Sequence, residues 1–191
     1  MKRHLFSLIV LCVSFACMAQ EHLSFKGIPL EGSMDAFCKQ LSAKGFKTIG
    51  NDNNTTLFTG DFTGRNATVG VIADDEGENV YSVVVVFDAS DEWKVLVNTY
   101  NYYKDLYTRK YGKPATMVEK NNATKSVSPS DAEYMLELIS GRATWGSLWN
   151  VVGGEIEISI EKFDYSEGAV FIRYRDAQNE EAKIQKHLEE I

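Results

Sequence analysis

The chain has 191 residues, of which 20 are Lys or Arg and 27 are Asp or Glu, so its formal net charge is −7 at pH 7. Binding to nucleic-acid phosphates requires clustered positive charge. No basic cluster occurs in this acidic sequence, and we therefore expect no nucleic acid partner.

The N-terminal residues have the composition of a secretory signal peptide. A basic start precedes the apolar run Leu5–Val13, and small residues then lead to a cleavage point before Gln20. A membrane anchor is one alternative, but this run is far shorter than the roughly 20 residues that span a bilayer. A lipoprotein acylated at Cys17 is the other. We predict that residues 1–19 are removed and that the protein is exported to the periplasm or the cell surface, with no transmembrane span in the mature chain.

Removal of the signal peptide changes the charge and the cysteine content. Loss of Lys2 and Arg3 leaves 18 basic residues against 27 acidic ones, a formal charge of −9. Cys12 and Cys17 leave as well, so Cys38 has no partner for an intramolecular disulfide. Because Cys38 lies on an apolar helical stripe, where cysteine behaves as a small hydrophobic residue, we expect it to be buried and unreactive.

A helix followed by three strands is predicted in residues 20–90. Ser33 can cap a helix that ends at Gly45, and apolar residues recur between them at helical spacing. Apolar residues then alternate along three antiparallel strands, which are residues 57–62, 69–73 and 80–87. The acidic turn Asp74–Asn79 offers oxygen ligands for calcium but lacks the spacing of a calcium-binding loop. A solvated hairpin tip is the favoured interpretation of this turn.

The most regular pattern in the sequence predicts a long amphipathic helix at the start of residues 91–191. At 100° per residue, its apolar side chains fall within about 120° of one another. They are Trp93, Leu96, Val97, Tyr100, Tyr103, Tyr107 and Tyr111. Asp91 or Ser90 is expected to cap this helix and Gly112 to end it. The tyrosine stripe is expected to face the core.

The second half then continues with a loop, a short helix and more strands. Residues 119–128 are polar and predict the loop, and Ser130 with Glu133 forms a capping box that opens a helix ending at Gly141. Three strands are expected at residues 144–151, 155–162 and 169–175. A closing helix is expected over residues 180–191, with its apolar residues on one face.

The last hairpin has a predicted register. Isoleucine alternates with polar residues along residues 155–162, which indicates a half-exposed strand. Pairing of Ile158 with Ile172 would create cross-strand charge pairs worth a few tenths of a kcal/mol each. These pairs are Glu157 with Arg173 and Glu155 with Arg175.

These elements predict an α+β fold in which helices pack on one face of an antiparallel sheet. A shift of 87 residues places the apolar residues of 69–87 on those of 156–174, which favours a tandem repeat of a helix and about three strands. The alternative is that any two amphipathic hairpins match at some shift. The halves 20–90 and 91–191 are expected to form one compact domain.

Four short motifs resemble a family of uncharacterised exported proteins from Gram-negative gut commensals. They are Phe25-Lys26-Gly27-Ile28-Pro29-Leu30-Glu31-Gly32, Phe37-x-x-x-Leu41-x-x-Lys44-Gly45-Phe46, Lys110-Tyr111-Gly112-Lys113-Pro114 and Tyr174-x-Asp176-x-x-Asn179. The resemblance spans nearly the whole mature chain and implies no catalytic residues. The helix-plus-sheet repeats it implies are similar in outline to the tandem modules of the β-lactamase inhibitor protein and to PepSY-like domains, which bind or inhibit other proteins. Such a likeness concerns the fold and does not fix a function.

Sequence motifs for catalysis and metal binding are not found. The mature chain has only His22 and His187, which are far apart, and no local metal-binding motif. Glycine-rich phosphate loops and the nucleophile motif Gly-x-Ser-x-Gly do not occur either. We therefore predict a protein that is not an enzyme, with no catalytic residue, no metal ligand and no cofactor.

Trp145 and Trp149 are the candidate ligand-binding residues. They lie four residues apart on one side of a predicted strand, where two indole rings can stack on sugar rings or anchor a protein partner. The alternative is that both rings pack against the tyrosine-rich helix as part of the core.

The sequence thus predicts an exported, non-enzymatic binding module for a protein or peptide. Glycan binding through Trp145 and Trp149 is the second hypothesis, and an enzyme of unrecognised class is the third. A flat or concave sheet face with a polar rim would favour a protein partner, whereas an exposed concave aromatic patch would favour a glycan.

Overall fold

The computed structural model describes residues 21–121, 129–189 and 191. The predicted signal peptide (residues 1–19), the lipoprotein alternative at Cys17 and most of the predicted loop at residues 119–128 lie outside the described residues. None of the described helices is both long enough and apolar enough to cross a membrane.

The described part of the chain contains four helices and ten strands. The helices are α1 (Met34–Ala43), α2 (Trp93–Tyr111), α3 (Asp131–Ile139) and α4 (Ala177–Glu189). The strands are β1 (Ser24–Phe25), β2 (Ile28–Pro29), β3 (Lys47–Asp52), β4 (Thr55–Phe62), β5 (Arg65–Ala73), β6 (Val80–Val86), β7 (Thr116–Asn121), β8 (Ala143–Val151), β9 (Gly154–Lys162) and β10 (Gly168–Asp176).

Eight of the strands form one antiparallel sheet. Their order is β3-β4-β5-β6-β10-β9-β8-β7, so the last strand of each half meets the other at the centre of the sheet. Strands β1 and β2 form a separate small hairpin. The predicted α+β class and the predicted antiparallel sheet are confirmed.

One hydrophobic core lies between the sheet and the helices that pack on one of its faces. Alternate residues of the central strands are fully buried there, as the period of two predicted. These are Val69, Val71, Val83, Val85, Ile156, Ile158, Val170 and Ile172. From α2, Trp93, Leu96, Tyr100, Tyr103 and Tyr107 are buried against them, so the predicted core-facing stripe is confirmed. Burial of each of these valine and isoleucine side chains of the central strands stabilises the fold by roughly 1.5–3 kcal/mol.

The two outermost strands, β3 and β7, were not predicted. An edge strand with both faces in water has no need for apolar alternation, so the pattern that reveals a half-buried strand is missing. β3 is exposed at nearly every position, and Met117 of β7 is 56% exposed. A usable signal existed at the β3–β4 turn, where Asn53 has a φ of +45°. Asparagine tolerates this left-handed conformation, which tight hairpin turns require.

The ends of two helices differ from the prediction. Helix α2 has Glu92 at its N-cap position without a side-chain cap, and the hydroxyl of Ser90 instead accepts the Glu92 N–H at 3.1 Å. Helix α4 begins earlier than predicted and has no buried residue. The predicted closing helix is therefore present, but Ile184 and Leu188 are 47% and 55% exposed, so its apolar face does not join the core.

The predicted tandem repeat is not confirmed. In the first half, Val71 pairs with Val83. A shift of 87 residues places Val71 on Ile158 and Val83 on Val170. Ile158, however, pairs with Ile172. The shift therefore matches the apolar faces of two hairpins without matching their register. Duplication of a helix-plus-sheet unit stays a prediction.

The N-terminal hairpin closes one end of the core. Phe25 of β1 is fully buried and stacks on Phe62 with ring centroids 5.8 Å apart, and its ring meets Tyr174 edge-on at 5.2 Å. Just before this hairpin, the backbone of residues 21–23 passes directly over Gly153.

Substitution of Gly153 by alanine is expected to destabilise the protein by about 2 kcal/mol. A Cβ at Gly153 would lie 2.4 Å from the carbonyl oxygen of Glu21, and a φ of +84° adds backbone strain. Gly77 is the matched control because its φ is +72° but a Cβ there would meet nothing within 4 Å. Gly77→Ala is expected to cost about 1 kcal/mol in urea unfolding. Equal losses for the two variants would mean that the close approach at Gly153 does not exist in solution.

Candidate functional site

The two tryptophans predicted as ligand-binding residues both lie on the side of β8 that faces the helices. Trp149 is only 1% exposed, and its indole N–H donates a hydrogen bond of 2.9 Å to the carbonyl of Gly112. Trp149 is therefore a core residue without a ring face available to a ligand. The expectation of a paired stacking platform fails at this position, and the core alternative holds.

Trp145 is half-buried and packs beside α3. Its ring meets Trp93 edge-on at 4.9 Å and Tyr134 edge-on at 5.7 Å. Its indole nitrogen is buried and has no hydrogen-bond partner among the described residues. Trp145 and Trp149 therefore do not present two coplanar exposed rings.

In the acidic turn Asp74–Asn79, the Asp74 carboxylate oxygens accept hydrogen bonds from other groups of the same turn. The carboxylate of Asp74 accepts hydrogen bonds from the backbone N–H groups of Glu78 and Asn79 and from the side-chain amide of Asn79, at 2.8 to 3.2 Å. Burial raises the pKa of Asp74, but the bonds from Asn79 and Glu78 outweigh it and lower that pKa below its ordinary value. Among the residues that the structure describes, no group of three or more His, Cys, Asp or Glu is arranged to hold a metal ion.

Cys38 is half-buried on α1 and packs against the core. Burial raises the pKa of its thiol, and a hydrogen bond with Thr56 offsets only part of this effect. The thiol is therefore mainly protonated at neutral pH, the form in which cysteine is a poor nucleophile. The prediction that Cys38 is buried holds only in part, because the residue is half-buried, while its core-facing position is as predicted.

The opposite side of the sheet carries a surface of apolar and charged side chains. We call this surface the open face; no side chain on it belongs to the core beneath the helices. Across the sheet it consists of Leu57 and Thr59 from β4; Thr68, Gly70 and Ile72 from β5; Ser82, Val84 and Val86 from β6; Phe171, Arg173 and Arg175 from β10; Glu155, Glu157, Ser159 and Glu161 from β9; and Leu148 from β8.

An apolar strip crosses the middle of the open face, and it consists of Leu57, Ile72, Val84, Val86 and Phe171. Phe171 lies directly opposite Val86 on the neighbouring strand, and Val84 lies opposite Gly70, which in turn pairs with Leu57. Leu57 is 38% exposed and the other four are half-buried. The strip therefore exposes apolar surface at the sheet centre, where solvated antiparallel sheets usually present polar side chains.

A charged ladder borders the apolar strip on the β9 side. Arg173 forms two bonds to the carboxylate of Glu161, at 2.5 and 2.8 Å, and its guanidinium lies 4.8 Å from the centre of the Phe171 ring. Arg175 bridges Glu155 and Glu157, the latter at 2.5 Å. The predicted register of this hairpin is confirmed. The predicted partner of Arg173 is wrong, because its long side chain reaches diagonally to Glu161 and leaves Glu157 to Arg175.

The contacts within the ladder favour the ionised forms of Glu161 and Arg175. Burial raises the pKa of Glu161, but the hydrogen bonds from Arg173 and Ser159 outweigh burial and lower that pKa. Burial likewise lowers the pKa of Arg175, and its bonds to Glu155 and Glu157 raise it overall. Each arginine thus holds a fixed geometry through more than one bond, which orders the border of the strip.

The sequence contains one signal for this surface besides the alternation of apolar and polar residues. Residues Val83–Val86 are apolar at every position, so the strand presents valine on both faces. A central strand with apolar residues on both faces indicates burial on both sides, or a face that a partner covers.

Comparison of the chain with protein-family models, with characterised proteins and with solved structures finds no match.

Proposed function

We propose that this chain is an exported, non-enzymatic binding module that holds a protein or peptide partner on the open face of its sheet. The observation that carries the proposal is the apolar strip of Leu57, Ile72, Val84, Val86 and Phe171, in which every residue remains partly exposed to solvent in the described chain. Export rests on the composition of residues 1–19 alone.

The arrangement has the anatomy of a protein-binding surface. Interface centres are apolar and enriched in aromatic residues and arginine, while their rims are polar. Phe171 and Arg173 stack at the centre of the open face, and the glutamates of the ladder lie at its border. Because the arginines are already ordered by their glutamates, a partner would meet a preorganised surface and lose little side-chain entropy there.

The glycan hypothesis has less support. It depended on two exposed indoles, and Trp149 is enclosed in the core while Trp145 is half-buried and packs against Trp93 and Tyr134. Among the open-face residues named above, Phe171 is the one aromatic side chain, which does not make the concave aromatic patch that a glycan would favour. A protein or peptide partner is therefore the better match.

Site-specific photo-crosslinking tests the proposed partner surface. A benzophenone amino acid is placed at Val86 on the open face, and in a second chain at Val95, which is 45% exposed on α2. Both full chains are expressed and irradiated in the cells that produce the protein. A discrete protein or peptide adduct is expected from position 86 and not from position 95.

A variant of the same surface completes this test. Leu57→Glu places a charge in the apolar strip at an exposed position, so it should leave the melting temperature nearly unchanged. Combined with the crosslinker at Val86, it is expected to reduce the adduct at least tenfold. An adduct that persists with Leu57→Glu, equal adducts at both positions, or no macromolecular adduct at position 86 would each contradict the proposal.

A further inference from the structure

A cleft of about 370 Å³ opens between α2 and the β1–β2 hairpin. Its walls include Lys26, Phe62, Tyr107, Lys110, Tyr111 and Tyr174. This volume lies at the lower end of the range that small-molecule sites occupy in proteins. The cleft is on the side of the sheet that the helices cover, so it is separate from the open face.

The charge of the cleft is opposite to that of the chain as a whole. Lys26 and Lys110 line it, and none of its described lining residues is Asp or Glu, although the chain carries a net charge of −7. Among the described residues neither lysine has a carboxylate within 4.0 Å. The cleft is therefore a local concentration of positive charge without its own counter-ion.

Both ammonium groups lie over aromatic rings. Lys110 is 4.8 Å from the centre of the Tyr111 ring, and Lys26 is 5.5 Å from the centre of the Phe62 ring. Cation–π contacts of this kind orient a lysine without neutralising its charge. The two lysines are thus held close to apolar walls, with their charge still available to an anion.

The wall of the cleft also holds a spare hydrogen-bond donor. The hydroxyls of Tyr107 and Tyr174 bond to each other, and neither has a further hydrogen-bond partner among the described residues. Two hydroxyls carry two protons, and one bond between them uses one. Burial raises the pKa of Tyr107 and of Tyr174, so both stay protonated at physiological pH. One O–H group is left to donate to a ligand.

We propose that this cleft binds an organic carboxylate with an apolar body. The carboxylate interacts with Lys26 and Lys110, and the apolar body lies against Phe62 and the tyrosine rings. Phosphate groups are usually held by arginine forks or by backbone N–H groups at helix N-termini. Within the described part of the chain, no arginine lines this cleft, and α2 contributes its C-terminal turns to it, so a carboxylate fits better than a phosphate.

Calorimetric titration of the full chain with decanoate tests this inference, with decanol as the uncharged probe of equal chain length. Decanoate is expected to bind with one site per chain and decanol at least tenfold more weakly. Lys26→Gln combined with Lys110→Gln is expected to weaken decanoate binding at least tenfold. Both lysines are exposed, so the double variant should keep its melting temperature.

Lys94→Gln provides the matched control, because Lys94 is an exposed lysine on the same helix but outside the cleft. It is expected to leave decanoate binding unchanged. Absence of decanoate binding, equal binding of decanol, or unchanged binding by the double lysine variant would overturn the inference. None of these results bears on the open face, since Leu57 and Val86 lie on the other side of the sheet from the cleft.

Discussion

Replacement of Asp176 by alanine is expected to lower the free energy of unfolding by about 3 kcal/mol. The carboxylate is fully buried and accepts hydrogen bonds from the Leu23 N–H at 2.8 Å and from the first-turn N–H groups of Gln178 and Asn179 at 3.1 and 3.0 Å. His22 Nδ1 lies 3.0 Å away. Without Asp176, a buried N–H loses its acceptor and α4 loses its cap, each at a cost of roughly 1–2 kcal/mol.

Urea unfolding followed by circular dichroism measures this loss. The matched control is Asp88→Ala, because Asp88 is exposed and forms no hydrogen bond or ion pair within the described chain. Asp88→Ala is expected to change the free energy of unfolding by no more than about 0.5 kcal/mol. If both variants were equally stable, the N-terminal segment and α4 would not be joined through Asp176 as the structure shows.

Much of the fold could be predicted because its central elements bury one face. In α2, apolar residues recur at helical spacing from Trp93 to Tyr111, and the same residues line the core. In β9, isoleucine alternates with polar residues, and the predicted pairing of Ile158 with Ile172 is the observed one. Local patterns suffice where the environment alternates with the period of the element.

The remaining elements could not be predicted, because their environment has no such period. β3 is exposed on both faces, so Lys47–Asp52 contains nothing that distinguishes a strand from a loop. Helix α4 shows the converse case. Its apolar residues Ile184 and Leu188 have helical spacing, yet they remain exposed because α4 meets the rest of the chain mainly through polar contacts. Among these, the Asn179 amide donates to the carbonyl of Val80, and Lys186 pairs with Glu76.

The candidate surface was only partly visible in the sequence. The outward position of Glu155 and Glu157 followed from alternation, but the diagonal reach of Arg173 to Glu161 depends on side-chain length and on the twist of the sheet. The cleft brings Lys26 and Lys110 together from distant parts of the chain. No local pattern can place two such residues at one site.

The loss of stability on replacing each tryptophan distinguishes a core residue from a residue of a binding surface. Trp149→Ala is expected to lower the free energy of unfolding by about 4 kcal/mol, because it leaves a cavity in the core. It also removes the donor to the Gly112 carbonyl at the end of α2. Trp145→Ala is expected to lower the free energy of unfolding by about half as much as Trp149→Ala. The Trp145 ring is only half-buried, and its indole N–H has no acceptor among the described residues.

These losses are measured by urea unfolding with circular dichroism, since the substitutions change the tryptophan fluorescence itself. Trp149→Phe serves as the conservative variant. It keeps an aromatic ring in the core but lacks the indole N–H, so its loss should lie between the wild-type value and that of Trp149→Ala. A residue selected for sugar stacking would instead be exposed and nearly neutral for stability. If Trp149→Ala cost less than about 1 kcal/mol, the ring would not lie in the core, and the glycan hypothesis would regain its second indole.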